Sequence, residues 1–240
     1  MSARCALVTG SGSGIGRAVA TTVASYGGRV VISGRNQSRL DAVQSELGAS
    51  CVASVAGDLT DDEALCRLAD SAHEHSVDLL VHSAAVFEPA SVTAMDSASF
   101  ERQLHINLCA PAALTRRLIP TLTDRSADIV FVNSTVVRGT GAGVGAYAAS
   151  KRGLAAIADA LRDEVNGLGI RVLSIYPGRT ATPMQQRFTE DTEGRRYVPE
   201  RLLQPEDVAA SIVHAVTLPR TAEITELVVR PMQPPAEDAS

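Results

Sequence analysis

Lysine is almost missing from this chain: of 22 basic residues only Lys151 is a lysine, and the others are arginine. A coding bias explains the ratio but not the exception, which closes the stretch YAASK at 147–151. Other absences exclude whole classes of function. No continuous apolar run is long enough for a membrane span. There is no excess of positive charge, and a net charge of −5 argues against a nucleic-acid surface. Cys5, Cys51, Cys66 and Cys109 form no C-x-x-C pair and stand among apolar neighbours, which predicts reduced core thiols and neither bridges nor a metal site. MSARCALVTG lacks a basic region followed by an apolar core and a cleavage site, so a cytoplasmic location is expected, and the Asn36 and Asn133 sequons carry no glycan.

With 240 residues, 45% of them apolar and 20% charged, the chain can build one full core. Short β-branched runs at 5–9, 30–33, 51–55, 78–84, 128–134, 171–178 and 224–230 alternate with helical periods. Among the latter, Leu40, Val43 and Leu47 share a face ahead of Gly48, and Thr60 with Glu63 reads as a capping box. Long helices are expected near 97–118 and 147–168, and another opens at Pro205-Glu206-Asp207. Seven apolar strands separated by helices predict an α/β fold: a single Rossmann-type, doubly wound domain over 1–240, with a seven-stranded parallel sheet flanked by helices. The weakly periodic segment 183–204 is expected to be a lid over the carboxyl ends of the strands, and 233–240 a loose tail.

The first strand runs into TGSGSGIG at 9–16 and then into a helix. Gly10, Gly14 and Gly16 follow G-x-x-x-G-x-G, which lets backbone approach a pyrophosphate at a helix N-terminus. The second strand ends at Gly34-Arg35, with no acid to hold ribose hydroxyls, and arginine there suits a 2′-phosphate. This favours NADP(H) over NAD(H). Asp58 either accepts from the adenine amino group or caps the turn before Thr60.

Tyr147 and Lys151 stand four apart at a helix start, on one face. A nearby ammonium favours the phenolate, and its slim stem leaves donors for a ribose hydroxyl where a guanidinium fork would not fit. Ser134 ends the fifth strand, and a glycine-rich loop folds it toward Tyr147, where its hydroxyl can hold a carbonyl. Asn107 sits mid-helix and, if buried, needs a partner.

These residues together, with Asp58-Leu59 and PGRTAT at 177–182, resemble the short-chain dehydrogenase/reductase family over essentially the whole chain. The resemblance implies an oxidoreductase that interconverts a ketone or aldehyde and its alcohol. Tyr147 would be the acid or base, Ser134 would polarise the carbonyl, and Lys151 would lower the tyrosine pKa. Asn107 would hold a relay water. Gly10, Ser13, Gly14, Ile15, Gly16, Arg35, Asp58, Leu59, Ala84, Tyr147, Lys151, Pro177, Gly178 and Thr182 would bind cofactor. A homodimer or homotetramer built on the two long helices is implied, with a small-molecule substrate, no metal, no nucleic acid and no membrane.

Two departures stand out. His82-Ser83-Ala84-Ala85 replaces the family's N-N-A-G, and His82 is read as a hydrogen-bonded core histidine. The ending ITELVVRPM lacks the Gly-Gly of 3-oxoacyl-carrier-protein reductases, which remain one alternative beside a non-catalytic NADP(H)-binding regulatory module and a sugar-nucleotide epimerase or dehydratase. Arg138 and Arg179 flanking the site, with Arg187, Arg195 and Arg196 nearby, would suit an anionic substrate; Glu190, Asp191 and Glu193 count against it.

Overall fold

Strand β1 (Cys5–Thr9) is buried along its whole length, as a strand covered on both faces must be. Six more strands follow: β2 (Arg29–Gly34), β3 (Cys51–Ala56), β4 (Leu79–His82), β5 (Asp128–Val132), β6 (Arg171–Pro177) and β7 (Glu226–Val229). The computed structural model describes residue 1 and residues 4–233. In it the strands form one seven-stranded sheet ordered β3-β2-β1-β4-β5-β6-β7, with every pairing parallel.

Right-handed crossovers lay the helices on both faces. Helices α1 (Gly14–Ser25), α2 (Gln37–Leu47) and α8 (Pro205–Val216) cover one side through Val19, Val23, Leu40, Val43, Ile212 and Val213. Helices α3 (Asp62–Glu74), α5 (Ala110–Thr123) and α6 (Gly145–Val165) cover the other through Leu68, Leu114, Leu118, Leu154 and Ala158. The chain builds outward from β1 to β3 and then returns to place β4 on β1's other side. The loops after β1 and β4 therefore part, and a crevice opens at their carboxyl ends.

The opposite end of the sheet is closed by charge. Asp128, buried at the start of β5, accepts from Arg4 at 2.5 Å, Arg171 at 2.7 Å and Arg220 at 3.3 Å. Arg171 also donates to the carbonyls of Val216 and Ala222.

Several expectations change in detail. The helix expected at 97–118 runs from α4 (Ser97–Leu104) through a π turn at His105–Cys109 into α5, ending at Thr123. The cap of α3 is Asp61, whose carboxylate accepts from the Glu63 N–H. Thr60 lies one residue before that cap, and its hydroxyl donates to Asp58 at 2.9 Å. Only Cys5 is a core thiol: Cys51 is half-buried, and Cys66 and Cys109 are exposed on helix surfaces. The segment 183–204 is largely regular, with α7 (Pro183–Arg187), a π turn at Phe188–Thr192 and a 3₁₀ turn at Pro199–Arg201. The tail expected from 233 onward lies, beyond its first residue, outside the described residues.

Candidate active site

A cleft of about 1040 Å³ occupies the crevice. Its floor at one end is the glycine turn between β1 and α1. Gly10 takes φ +73°, and a Cβ there would stand 2.8 Å from the Ala84 backbone, so no other residue fits this crossing without displacing the loop after β4. A Cβ on Gly16 would come within 2.4 Å of the Gly10 carbonyl, so Gly16 tightens the turn from behind and does not line the cleft. The N-cap of α1, Ser13, makes no side-chain capping bond, so the first N–H groups of the helix face the cleft without an internal acceptor. An uncapped helix start in a glycine cradle is an anion site. It fits a dinucleotide pyrophosphate.

Beyond β2, Arg35 and Arg39 line the same end. Arg39 escaped the sequence reading; its signal is its position, one turn into α2, whose N-cap Asn36 accepts from the Arg39 N–H at 2.9 Å. Arg35 approaches Asp58 at 3.9 Å with both side chains well exposed, a pair worth about 0–1 kcal/mol and easily exchanged for another anion. Asp58 caps its turn, accepting from the Thr60 N–H and hydroxyl at 2.9 Å each. Burial pushes its carboxyl up, but these bonds and Arg35 outweigh it and hold the pKa below the usual value. Ser13, Gly14, Ile15, Leu59, Ala84, Pro177, Gly178 and Thr182 also line the cleft.

At the other end β5 and α6 bring Ser134, Tyr147 and Lys151 to one wall. Ser134 caps the short turn after β5, its oxygen accepting from the Val136 N–H at 3.2 Å. The ammonium of Lys151 donates to the Val132 carbonyl at 2.8 Å and lies 5.8 Å from the Tyr147 ring centre. Among protein groups alone, burial dominates both. It raises the Tyr147 phenol to about 12, with a hydrogen bond to Ser134 pulling the other way, and it lowers Lys151 to about 8. Burial thus governs the tyrosine among protein groups, and what opposes it is the bond to Ser134. Behind them His82 is a core histidine, as expected: it bonds Thr115 at 2.8 Å and stacks on Phe131. Burial, then the charge of Lys151, drives its pKa down to about 3.

Asn107 lies outside the cleft wall, fully buried in the π turn. Its side-chain oxygen accepts from the Val86 N–H at 2.8 Å, and its amide donates to the Val86 carbonyl at 2.9 Å and to Ser150 at 3.1 Å. The side chain thus holds the loop after β4 against α6. Gln103, one turn earlier and also fully buried, does the same for Glu88, accepting from its N–H at 3.3 Å and donating to its carbonyl at 3.0 Å. Between these two clamps Phe87 projects into the cleft, 4.9 Å from Tyr147 and 5.0 Å from Phe188 by ring centres. Neither phenylalanine was singled out in the sequence, because nothing local links 87 to 188. Arg138, expected to flank the site, instead pairs with Glu226 at 3.2 Å and lies over Tyr176.

Among the described residues no cluster of His, Cys, Asp or Glu is arranged to hold a metal ion, and no helix is long and apolar enough to cross a membrane. The family model for short chain dehydrogenases matches residues 4–193. The chain is 34% identical over 245 residues to the glycine betaine reductase ATRR of Emericella nidulans, covering 98% of this chain but 19% of that protein, so it spans about a fifth of that relative's length. It is 27% identical over 233 residues to an uncharacterized oxidoreductase of Staphylococcus aureus (strain USA300), covering 95% of this chain and 97% of the other. Among solved structures it resembles the 3-ketoacyl-(acyl-carrier-protein) reductase from Brucella melitensis complexed with NADH, at TM-score 0.83 and 27% identity over 94% of this chain and 96% of that one.

Proposed function

The chain belongs to the short chain dehydrogenase family, and from that premise we propose that it is an NADP(H)-dependent oxidoreductase interconverting a ketone or aldehyde and the corresponding alcohol, with Tyr147 as acid and base. That it is an oxidoreductase using a nicotinamide cofactor follows from the family. The observation that carries the finer reading is the convergence of Ser134, Tyr147 and Lys151 on the wall of a cleft whose far end is an open helix N-terminus.

The glycine turn and the start of α1 would hold the pyrophosphate of a dinucleotide, which would supply or accept the hydride. The protein's own groups handle the oxygen. Ser134 donates to the carbonyl and holds it near Tyr147, whose hydroxyl delivers the proton as charge builds on oxygen. A phenol raised toward 12 is fully protonated at neutral pH, the form that carbonyl reduction requires. Lys151, pinned by Val132, keeps a positive charge beside the phenolate left behind. Its proton is held below about pH 8, so the reductive reaction should fade above that pH as the charge is lost. Asn107 acts as a positioning residue through Val86 and Ser150.

Preference for the 2′-phosphorylated cofactor rests on Arg35 and Arg39 of this chain, since the Brucella structure holds NADH. The segment 183–204 serves as the lid of a single domain. A cytoplasmic homodimer or homotetramer through the two long helices, near 97–118 and 147–168, completes the reading.

Replacing Tyr147 with Phe tests the central role. Turnover of a carbonyl panel with NADPH should fall by about 10²–10⁴-fold while NADPH fluorescence still reports binding. Undiminished turnover removes Tyr147 from the mechanism; binding without turnover in the unaltered protein, across the whole panel, favours a non-catalytic module.

A further inference from the structure

The acceptor end of the cleft carries information about the substrate that the family does not supply. The cleft that Tyr147 lines also carries the apolar side chains of Val86, Phe87, Val136, Val144, Met184 and Phe188. Phe87, Tyr147 and Phe188 form a chain of tilted ring contacts at 4.9 and 5.0 Å, a geometry that favours apolar and aromatic partners. Phe87 is not free to swing away, because the backbone on both sides of it is clamped by the buried amides of Asn107 and Gln103.

The charge beside Phe188 is paired. Arg179 forms a two-pronged ion pair with Glu193, with one bond at 2.7 Å, and its guanidinium lies 5.9 Å from the Phe188 ring centre. The pair is mostly buried, 33% exposed at the arginine and 18% at the glutamate, so an anionic substrate could claim Arg179 only by stranding the carboxylate of Glu193. Lys151 is committed to Val132 and its own burial. Arg187 reaches the cleft at its exposed mouth, where solvent screens its charge.

Building on the carbonyl oxidoreductase reading, we propose that the acceptor is an uncharged carbonyl compound bearing an aromatic or branched apolar group next to the carbonyl. Phe87 is the ring it packs on, and the Arg179–Glu193 pair is the element that keeps carboxylates out. A quaternary ammonium aldehyde is the chief competitor, since rings also attract such cations, but here the same rings lie beside a guanidinium.

The experiment compares carbonyls of one shape and different charge on the full chain, with NADPH and NADH in turn. Methyl benzoylformate is the neutral probe, benzoylformate the anion, trimethylammonium acetaldehyde the cation and butane-2,3-dione the small ketone. The neutral ester should exceed the acid in kcat/KM by about tenfold or more, as expected when one partner of a buried contact would be left unpaired. Glu193→Gln, which uncovers Arg179, should shrink the ester-to-acid ratio by about tenfold. Phe87→Ala should cost the ester about tenfold more than it costs butane-2,3-dione, with NADPH binding and the circular dichroism spectrum retained. Higher kcat/KM for the acid or the ammonium aldehyde overturns the proposal, as does an ester-to-acid ratio unmoved by Glu193→Gln or equal losses on both ketones in Phe87→Ala. If other carbonyls turn over but none of these four does, this proposal alone fails; if the cofactor binds and no carbonyl of the wider panel is reduced, the carbonyl-reduction reading fails and takes this one with it.

Discussion

Desolvation governs Tyr147, Lys151 and His82 more than pairing does. Tyr147 is raised, Lys151 lowered and His82 lowered furthest, each toward its neutral form. For His82 the consequence is a stability effect with a definite sign. The unfolded chain takes up a proton near pH 6.5, whereas the folded chain does not until about pH 3, so stability is full above 6.5 and is lost as pH falls through that window. At about 1.4 kcal/mol per pH unit the loss reaches roughly 4–5 kcal/mol at its acid limit. His82→Asn, which restores the family's residue, should remove that share of acid lability. At pH 7.5 it should lose about 1–2 kcal/mol, because the bond to Thr115 and the stack on Phe131 disappear. Denaturant unfolding from pH 7.5 down to 4 checks this: the unaltered protein's lead must shrink on acidification and reverse by about pH 5, and parallel curves would remove His82 as the cause.

At the scale of elements, the start of α2 is where cofactor choice should be decided. Arg35 just before the helix and Arg39 in its first turn line one end of the cleft, and the weak pair with Asp58 does not hold Arg35 back. Replacing Arg35 by Ala should weaken NADPH binding by about 10–100-fold and NADH binding by far less, the size of a lost charge-assisted bond to phosphate. Titration of cofactor fluorescence measures both; equal losses would move the phosphate contact elsewhere. The junction of α4 and α5 shows a second way an element shapes the site. Four residues apart at this junction, Gln103 and Asn107 share a side, where their amides substitute for a neighbouring strand along Val86 and Glu88.

In the molecule as a whole, chemistry and stability are kept at opposite ends of the sheet. The cleft gathers glycines, an uncapped helix start and half-buried polar groups, while the far end concentrates Arg4, Arg171 and Arg220 on Asp128. Asp128→Asn would leave three guanidinium groups facing a neutral amide, with Arg171 itself mostly buried, and should cost about 3–5 kcal/mol. The midpoint of chemical denaturation would report it, with turnover per folded molecule little changed. A shift under about 1 kcal/mol would mean that the cluster acts like an exposed pair.

Local chemistry could be read directly from the chain. The alternation of apolar strands with helical periods specified a parallel seven-stranded sheet, because strands buried on both faces and right-handed crossovers leave few other arrangements. The glycine turn and the Tyr147/Lys151 spacing were readable because each is set within one turn of backbone. Phe87 against Phe188, Arg179 against Glu193 and the amides of Gln103 and Asn107 along Val86 and Glu88 were not, since those contacts exist only once crossovers bring separate elements together. The pKa directions belong to the same class: burial is a property of the packed fold, and it reversed the shift that the Tyr147–Lys151 spacing alone suggested.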